Sequence, residues 1–183
     1  MEHTYLIISD IHGDLAGAEL ARDAFHRHQA DYILLLGDLL YHGPRNDIPP
    51  HYAPKQVIPI LNELAPYIIA VQGNCEADVD QKVLTFPCMA SYNIIPYGSR
   101  RLFMTHGHIY GPDHLPYLNP GDVLLSGHTH IYTAEKEKGI FLCNPGSVSI
   151  PKGGNPPAYG LIQDDTFSVH TADGKAIASI CFD

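Results

Sequence analysis

The chain has 183 residues, enough to bury a sizeable core, and is expected to form one compact domain over residues 1–183. Apolar residues make up 45% and charged residues 17%, a globular balance, and the formal net charge is −9, which argues against long nucleic acid as a partner. No apolar run approaches the ~20 residues of a membrane helix and no secretory leader is visible, so no membrane partner is expected and the expected compartment is the cytoplasm.

Tyr5 to Ser9 reads as a buried strand running into Asp10-Ile11-His12-Gly13-Asp14. Asp14 is an N-cap for a helix over Leu15 to Gln29, where Leu15, Ala18, Ala21 and Phe25 fall near helical spacing. Tyr32 to Leu36 is a second buried strand, ending at Gly37-Asp38. A second helix is expected near Lys55 to Leu64, kinked or started late by Pro59. Ile68 to Gln72 is a third strand, ending at Gly73-Asn74, and this β-α-β-α-β opening predicts parallel pairing. The second half is richer in strands: a hairpin from Ser91–Ile95 and Arg101–Thr105, then Asp122–Leu125 and Ile140–Cys143. A closing antiparallel meander covers Tyr159–Gln163, Phe167–His170 and Ala176–Phe182, with turns at Asp164-Asp165 and Asp173-Gly174. Two packed sheets flanked by helices accommodate this order. The four cysteines form no CxxC pair, which argues against a disulfide framework or a zinc ribbon.

Five polar clusters follow apolar runs: Asp10-x-His12, Gly37-Asp38, Gly73-Asn74-Cys75-Glu76, His106-Gly107-His108 and Gly127-His128-Thr129-His130. Each belongs at a C-terminal strand edge, where ligands collect in open α/β sheets. If these segments are extended, Asp10 and His12 point the same way, as do His128 and His130. Asp10, His12, Asp38, Asn74, His106, His128 and His130 form a mixed oxygen and nitrogen donor set suited to manganese, iron, zinc, cobalt or nickel. Seven donors exceed one tetrahedral site and suggest two metals sharing a carboxylate. Such a pair can clamp both the attacking and the leaving oxygen of a displacement at phosphorus.

The motif order D-x-H, G-D, G-N-C, H-G-H, G-H-T-H resembles the calcineurin-like metallophosphoesterases, and more closely the small YfcE-like bacterial phosphodiesterases. The runs GDLLYHGPRN, QGNCEADVD and NPGSVSIPKGGNP extend the resemblance over essentially the whole chain. It implies a four-layer αββα sandwich of two mixed sheets with outer helices around a dinuclear site. By this resemblance Asp10, His12 and His130 are ligands of a first metal, Asp38 is the bridge, and Asn74, His106 and His128 are ligands of a second. It further implies two divalent ions, manganese first, and in-line attack by a metal-bridging hydroxide on a small phosphodiester. A phosphomonoesterase or nuclease on the same site, and a non-catalytic scaffold like the retromer subunit of this fold, are the alternatives. A homo-oligomer is compatible with the resemblance.

One position departs from the superfamily pattern: the usual G-N-H-[DE] reads Gly73-Asn74-Cys75-Glu76. A thiol is a poorer proton donor than an imidazolium, so His108 is the nearest alternative donor by motif, with His42 behind it. Arg45 is a candidate grip for a phosphate oxygen, with His42 also on the substrate side. Glu76 and Asp78 are candidates to orient the ligand loop, and Asn144-Pro145-Gly146-Ser147 to shape the site floor.

Overall fold

A computed structural model describes residues 3–183. Strands β1 (Tyr5–Ile8), β2 (Tyr32–Leu35) and β3 (Ile68–Ala70) pair in parallel, with Tyr5 opposite Tyr32 and Ile33 opposite Ile68. β1 and β2 are continuous apolar runs because both faces of the sheet they form are covered. Leu6, Ile8, Ile33 and Leu35 face helices α1 (Leu15–His28) and α2 (Pro54–Glu63), meeting Ala18, Ala21, Phe25, Val57 and Leu61. The alternate residues Tyr5, Ile7 and Leu34 face the other way, against Leu102, Met104, Leu125 and Phe141 of the second sheet.

Past a short helix α3 (Asp80–Val83), the second sheet comprises β4 (Tyr92–Tyr97), β5 (Arg100–Thr105), β6 (Val123–Leu125), β7 (Thr133–Glu137) and β8 (Ile140–Asn144), in the order β4-β5-β6-β8-β7. The closing meander β9 (Ala158–Gln163), β10 (Thr166–Thr171) and β11 (Ala176–Cys181) joins the first sheet, in the order β11-β10-β9-β1-β2-β3. Its tight turn holds Asp164 and Asp165 at φ 49° and 54°, the left-handed pair a two-residue hairpin needs. Both sheets mix parallel and antiparallel pairs.

The sandwich of two mixed sheets with flanking helices is as expected. On the outer face of the second sheet, Phe103, Leu124, Ile140 and Leu142 are covered by Tyr110 and Leu118 of the irregular segment 106–121, and among the described residues no helix lies in that layer. Two local expectations change. α2 starts at Pro54 and runs through Pro59, which does not delay it. Pro59 and Lys55 are both exposed, so water can satisfy the carbonyl that Pro59 leaves without an N–H. β7 has no counterpart among the expected strands: Thr133–Glu137 lacks an apolar pattern, and it is an edge strand, where exposed charge is normal.

Candidate metal centre

The loops leaving β1, β2, β3, β5 and β6 meet at one edge of the sandwich, as the polar clusters predict. The reason for convergence differs from the expected extended geometry. Asp10 (φ 57°), His12 (51°), Asp38 (56°), His128 (67°) and His130 (60°) are all left-handed. The chain coils at each site residue, and alternate side chains converge because the coil folds back. For residues other than glycine each such φ costs about 1 kcal/mol or more, tolerated where surrounding bonds over-determine it.

Those bonds are present. Backbone N–H groups of Asp10, His12 and Gly13 donate to the carbonyls of Gly37, Asp38 and Leu39, locking the first cluster to the second. The Asp10 carbonyl accepts from Ser147 Oγ and Ser149 Oγ, both at 2.8 Å. Asp10 Oδ2 accepts from Ser9 Oγ at 2.6 Å and from the His128 N–H at 2.9 Å. Glu76 accepts from the amides of Asp38 (2.9 Å), Leu39 (2.6 Å) and Gly73, so it orders the two ligand loops. Asp38 Oδ1 accepts from the Cys75 N–H at 2.9 Å, which leaves Oδ2 turned inward. Asn144 closes the floor, donating to the Gly127 carbonyl at 2.9 Å and to Thr129 Oγ1 at 3.1 Å. Asp78 is exposed and away from these contacts.

Three imidazoles are oriented in the same way. His12 Nδ1 donates to the Tyr41 carbonyl (2.8 Å), His106 Nδ1 to Leu36 (2.7 Å) and His130 Nδ1 to Ile150 (2.8 Å). In the neutral ring this leaves Nε2 unprotonated and facing inward. His12 Nε2 and His130 Nε2 are 3.2 Å apart, and they lie 3.5 and 3.1 Å from Asp10 Oδ1. Asp10 Oδ1 is fully buried and has no hydrogen-bond donor. Three lone-pair donors at this spacing require positive charge between them. Ligand bonds of about 2.0–2.2 Å put neighbouring ligand atoms roughly 3 Å apart, so the cluster fits one divalent ion.

A second set lies beside it. Asp38 Oδ2 is 3.4 Å from His106 Nε2, which is 3.1 Å from Asn74 Oδ1 and 3.2 Å from His128 Nδ1. Asp38 Oδ2 is also 3.5 Å from His12 Nε2, so one carboxylate faces both sets. Groups able to hold an ion include Asp10 with His12 and His130, and Asp10 with Asp38 and His106; a further group contains His12, Asp38 and Cys75.

The electrostatics agree with a site built for cations. Burial opposes ionisation of Asp10, yet His12 and His130 hold its carboxyl well below the usual range. Burial likewise opposes the charge on Asp38, and His106 outweighs it. Burial disfavours charge on His106 too, but Asp38 and Asp10 raise it to about 9. Burial and the Asp38 charge push Glu76 up to about 7, against the pull of its three amide donors. Burial and the same charge drive the Cys75 thiol far up, so it stays protonated.

A cavity of about 360 Å³ opens over the cluster, lined by Asp38, Arg45, Asn46, Asn74, His128, Thr129, His130 and Lys152. Arg45 is among the residues lining it. Cys75, His108 and His42 are outside that lining. His108 is exposed, 5.3 Å from the His106 ring and 6.2 Å from the His128 ring, and burial with the His106 charge lowers its pKa. His42 packs against Tyr41 and Tyr52. Ser9, Ser149 and Asn46 are supporting residues that motif reading missed; serines beside metal-site clusters carry little signal in a sequence.

Residues 4–166 match the calcineurin-like phosphoesterase superfamily domain, and the chain belongs to that superfamily. It is 48% identical over 172 residues, 94% of each chain, to phosphodiesterase YfcE of Escherichia coli. The solved structure of YfcE from that organism is similar with a TM-score of 0.96 at 47% identity, covering 98% of this chain and 100% of that one. A probable metallophosphoesterase, YsnB of Bacillus subtilis, is 29% identical over 178 residues, 92% of this chain and 89% of the relative. A zinc-complexed Vps29 from Entamoeba histolytica shares the fold, with a TM-score of 0.63 at 21% identity over 98% of this chain and 99% of that one. Among the described residues no helix is long and apolar enough to cross a membrane.

Proposed function

We propose that the chain is a metal-dependent phosphodiesterase that hydrolyses a small phosphodiester by in-line displacement at a dinuclear centre. The observation that carries this reading is the position of Asp38 Oδ2, 3.5 Å from His12 Nε2 and 3.4 Å from His106 Nε2, between two sets of inward-facing donors. Asp10, His12 and His130 would hold one ion, Asn74, His106 and His128 the other, and Asp38 both. Manganese is the first choice, and the same nitrogen and oxygen donors suit zinc, iron, cobalt or nickel. Two divalent ions there would supply Lewis acidity to the phosphoryl oxygens and make water a nucleophile at neutral pH.

The chain's own residues set what else happens. Arg45 reaches the cavity as a guanidinium able to grip a phosphoryl oxygen. The proton donor is weak. Cys75 remains a thiol of very high pKa, and the lowered pKa of His108 leaves it mostly neutral at pH 7. Esters with good leaving groups, which depart without a proton, are therefore favoured over esters with alkoxide leaving groups.

The test is hydrolysis of bis-p-nitrophenyl phosphate beside p-nitrophenyl phosphate, on protein stripped of metal and reloaded with manganese, zinc or magnesium. Diester turnover restored by metal, exceeding monoester turnover, is expected. No turnover with two ions bound per chain would overturn the reading in favour of an interaction scaffold.

A further inference from the structure

The metal-site cavity adjoins a second one, with which it shares lining residues. This neighbour, about 240 Å³, is lined by Arg45, Asn46, Asp47, Ile150, Pro151 and Lys152, and none of the seven candidate ligands reaches it. The two cavities share Arg45, Asn46 and Lys152. Arg45 and Lys152 are the only Lys or Arg lining either one, on a chain with 11 such residues and a net charge of −9. Neither side chain forms an ion pair among the described residues, whereas Arg22, Arg101 and Lys138 each have a carboxylate partner.

The two cations are also held in place by the site itself. Lys152 donates its N–H to the His130 carbonyl at 3.0 Å, and two residues before it the Ile150 carbonyl accepts from His130 Nδ1. Across the opening, the Tyr41 carbonyl accepts from His12 Nδ1, and Asn46 Nδ2 donates to the His42 carbonyl at 2.9 Å, closing the turn that carries Arg45. Each cation-bearing loop is thus tied to an imidazole of the metal cluster.

A phosphodiester carries one negative charge. Two divalent ions facing Asp10 and Asp38, with Arg45 on a phosphoryl oxygen, would already exceed it, so Lys152 is surplus to the scissile group. Both cations also line the second cavity, together with the apolar pair Ile150 and Pro151. Resting on the phosphodiesterase reading above, we infer that Lys152, with Arg45 shared between the two cavities, forms a second anion subsite. The preferred substrates are then small diesters whose second arm carries another anionic group, a phosphate or a carboxylate, with the apolar body of the arm on Ile150 and Pro151. Asp47, which also lines this cavity, disfavours a longer anionic chain.

Two matched probes test this: thymidine 5′-(p-nitrophenyl phosphate) and the same ester bearing a 3′-phosphate. They share the scissile diester and the leaving group and differ by one anionic group. On manganese-loaded protein the 3′-phosphorylated ester is expected to show a kcat/KM higher by about tenfold, chiefly through KM, as a charge-assisted contact predicts. K152A should remove most of that preference, whereas K138A, which deletes a remote exposed lysine, should retain it. Equal kcat/KM for the two esters in the unaltered protein, or a preference unchanged by K152A, overturns the subsite while leaving the phosphodiesterase reading intact. Equilibrium dialysis of thymidine 3′,5′-bisphosphate against thymidine 5′-phosphate separates the two claims. If neither ester is hydrolysed, the phosphodiesterase reading fails. Tighter binding of the bisphosphate, lost in K152A, then still supports the subsite, and equal binding overturns it.

Discussion

At the scale of single residues, the centre is held by atoms that have no room to move. A Cβ added to Gly127 would meet Ser9 Oγ at 1.8 Å and Asp10 Oδ2 at 2.8 Å, the two atoms that aim Asp10 at the cluster. G127A is therefore expected to weaken metal binding by about 10–100-fold, the usual cost of disturbing residues that orient a ligand, with the fold retained. Metal titration followed by calorimetry checks this; unchanged affinity would show that Asp10 is not aimed by this contact. Cys75 poses the complementary question. Its amide holds Asp38, while its thiol replaces the histidine of the wider superfamily pattern. C75H keeps the amide and restores an imidazole, so turnover of esters with alkoxide leaving groups should rise relative to p-nitrophenyl esters by about tenfold, within the range of general acid catalysis. A ratio that stays constant would mean leaving-group protonation does not limit the reaction.

At the scale of elements, the strands that deliver the site are pinned by polar contacts near their beginnings. Asp122, just before β6, accepts from the Arg101 N–H (2.9 Å), Arg101 Nε (3.0 Å) and the Asn119 N–H (2.8 Å), tying β5 to β6 and so His106 to His128. Burial opposes charge on Asp122, but the Arg101 and Asn119 hydrogen bonds win and its pKa lies below the ordinary value. A carboxyl depressed in the folded state stabilises above its unfolded pKa of ~3.9 and loses that contribution as pH falls through its folded pKa. D122N is expected to melt at a lower temperature than the unaltered protein at pH 7, and the gap should close below about pH 4. Thermal unfolding across that range checks it; a gap independent of pH would mean the charge of Asp122 contributes nothing. The helices play a different part: α1 is capped by Asp14, whose Oδ1 accepts from the Gly17 N–H at 2.8 Å and whose Oδ2 accepts from the His51 N–H at 3.1 Å. The same residue thus starts the helix and holds the loop before α2.

At the scale of the whole molecule, the sandwich assembles a cluster that is costly without a cation. Five left-handed residues and the buried carboxylates Asp10 and Asp38 converge on one small volume. An ion that binds only the folded state stabilises it by mass action, about 2.7 kcal/mol at a hundredfold excess over Kd. Removing metal with a chelator should lower Tm by several degrees, and re-addition of manganese should restore it. A Tm insensitive to chelation, with metal shown by analysis to have left, would mean the empty cluster is held by protonated histidine instead.

Much of this was legible in the chain. Apolar runs of four or five residues ending in Gly-Asp, Gly-Asn or Gly-His announce strands that deliver polar groups to one edge, because buried parallel strands need no polar alternation and their loops carry the chemistry. The seven donors, the Asp14 cap and the Asp164-Asp165 turn follow from residue type and spacing alone. The left-handed backbone at Asp10, His12, Asp38, His128 and His130 does not, because no local preference demands it; it is imposed by contacts with residues such as Ser147, whose hydroxyl reaches the Asp10 carbonyl from 137 positions away. The edge strand β7 was hidden for the same reason: Thr133–Glu137 has no apolar pattern, and only its pairing with β8 makes it a strand. Which atoms can bind a cation is a property of side-chain chemistry and is therefore readable from residue type. The assembled fold settles which nitrogen of each imidazole turns inward, that Asp38 faces both donor sets, and that Lys152 and Arg45 line one second cavity. Those depend on distances between segments far apart in the chain, and no local interaction encodes them.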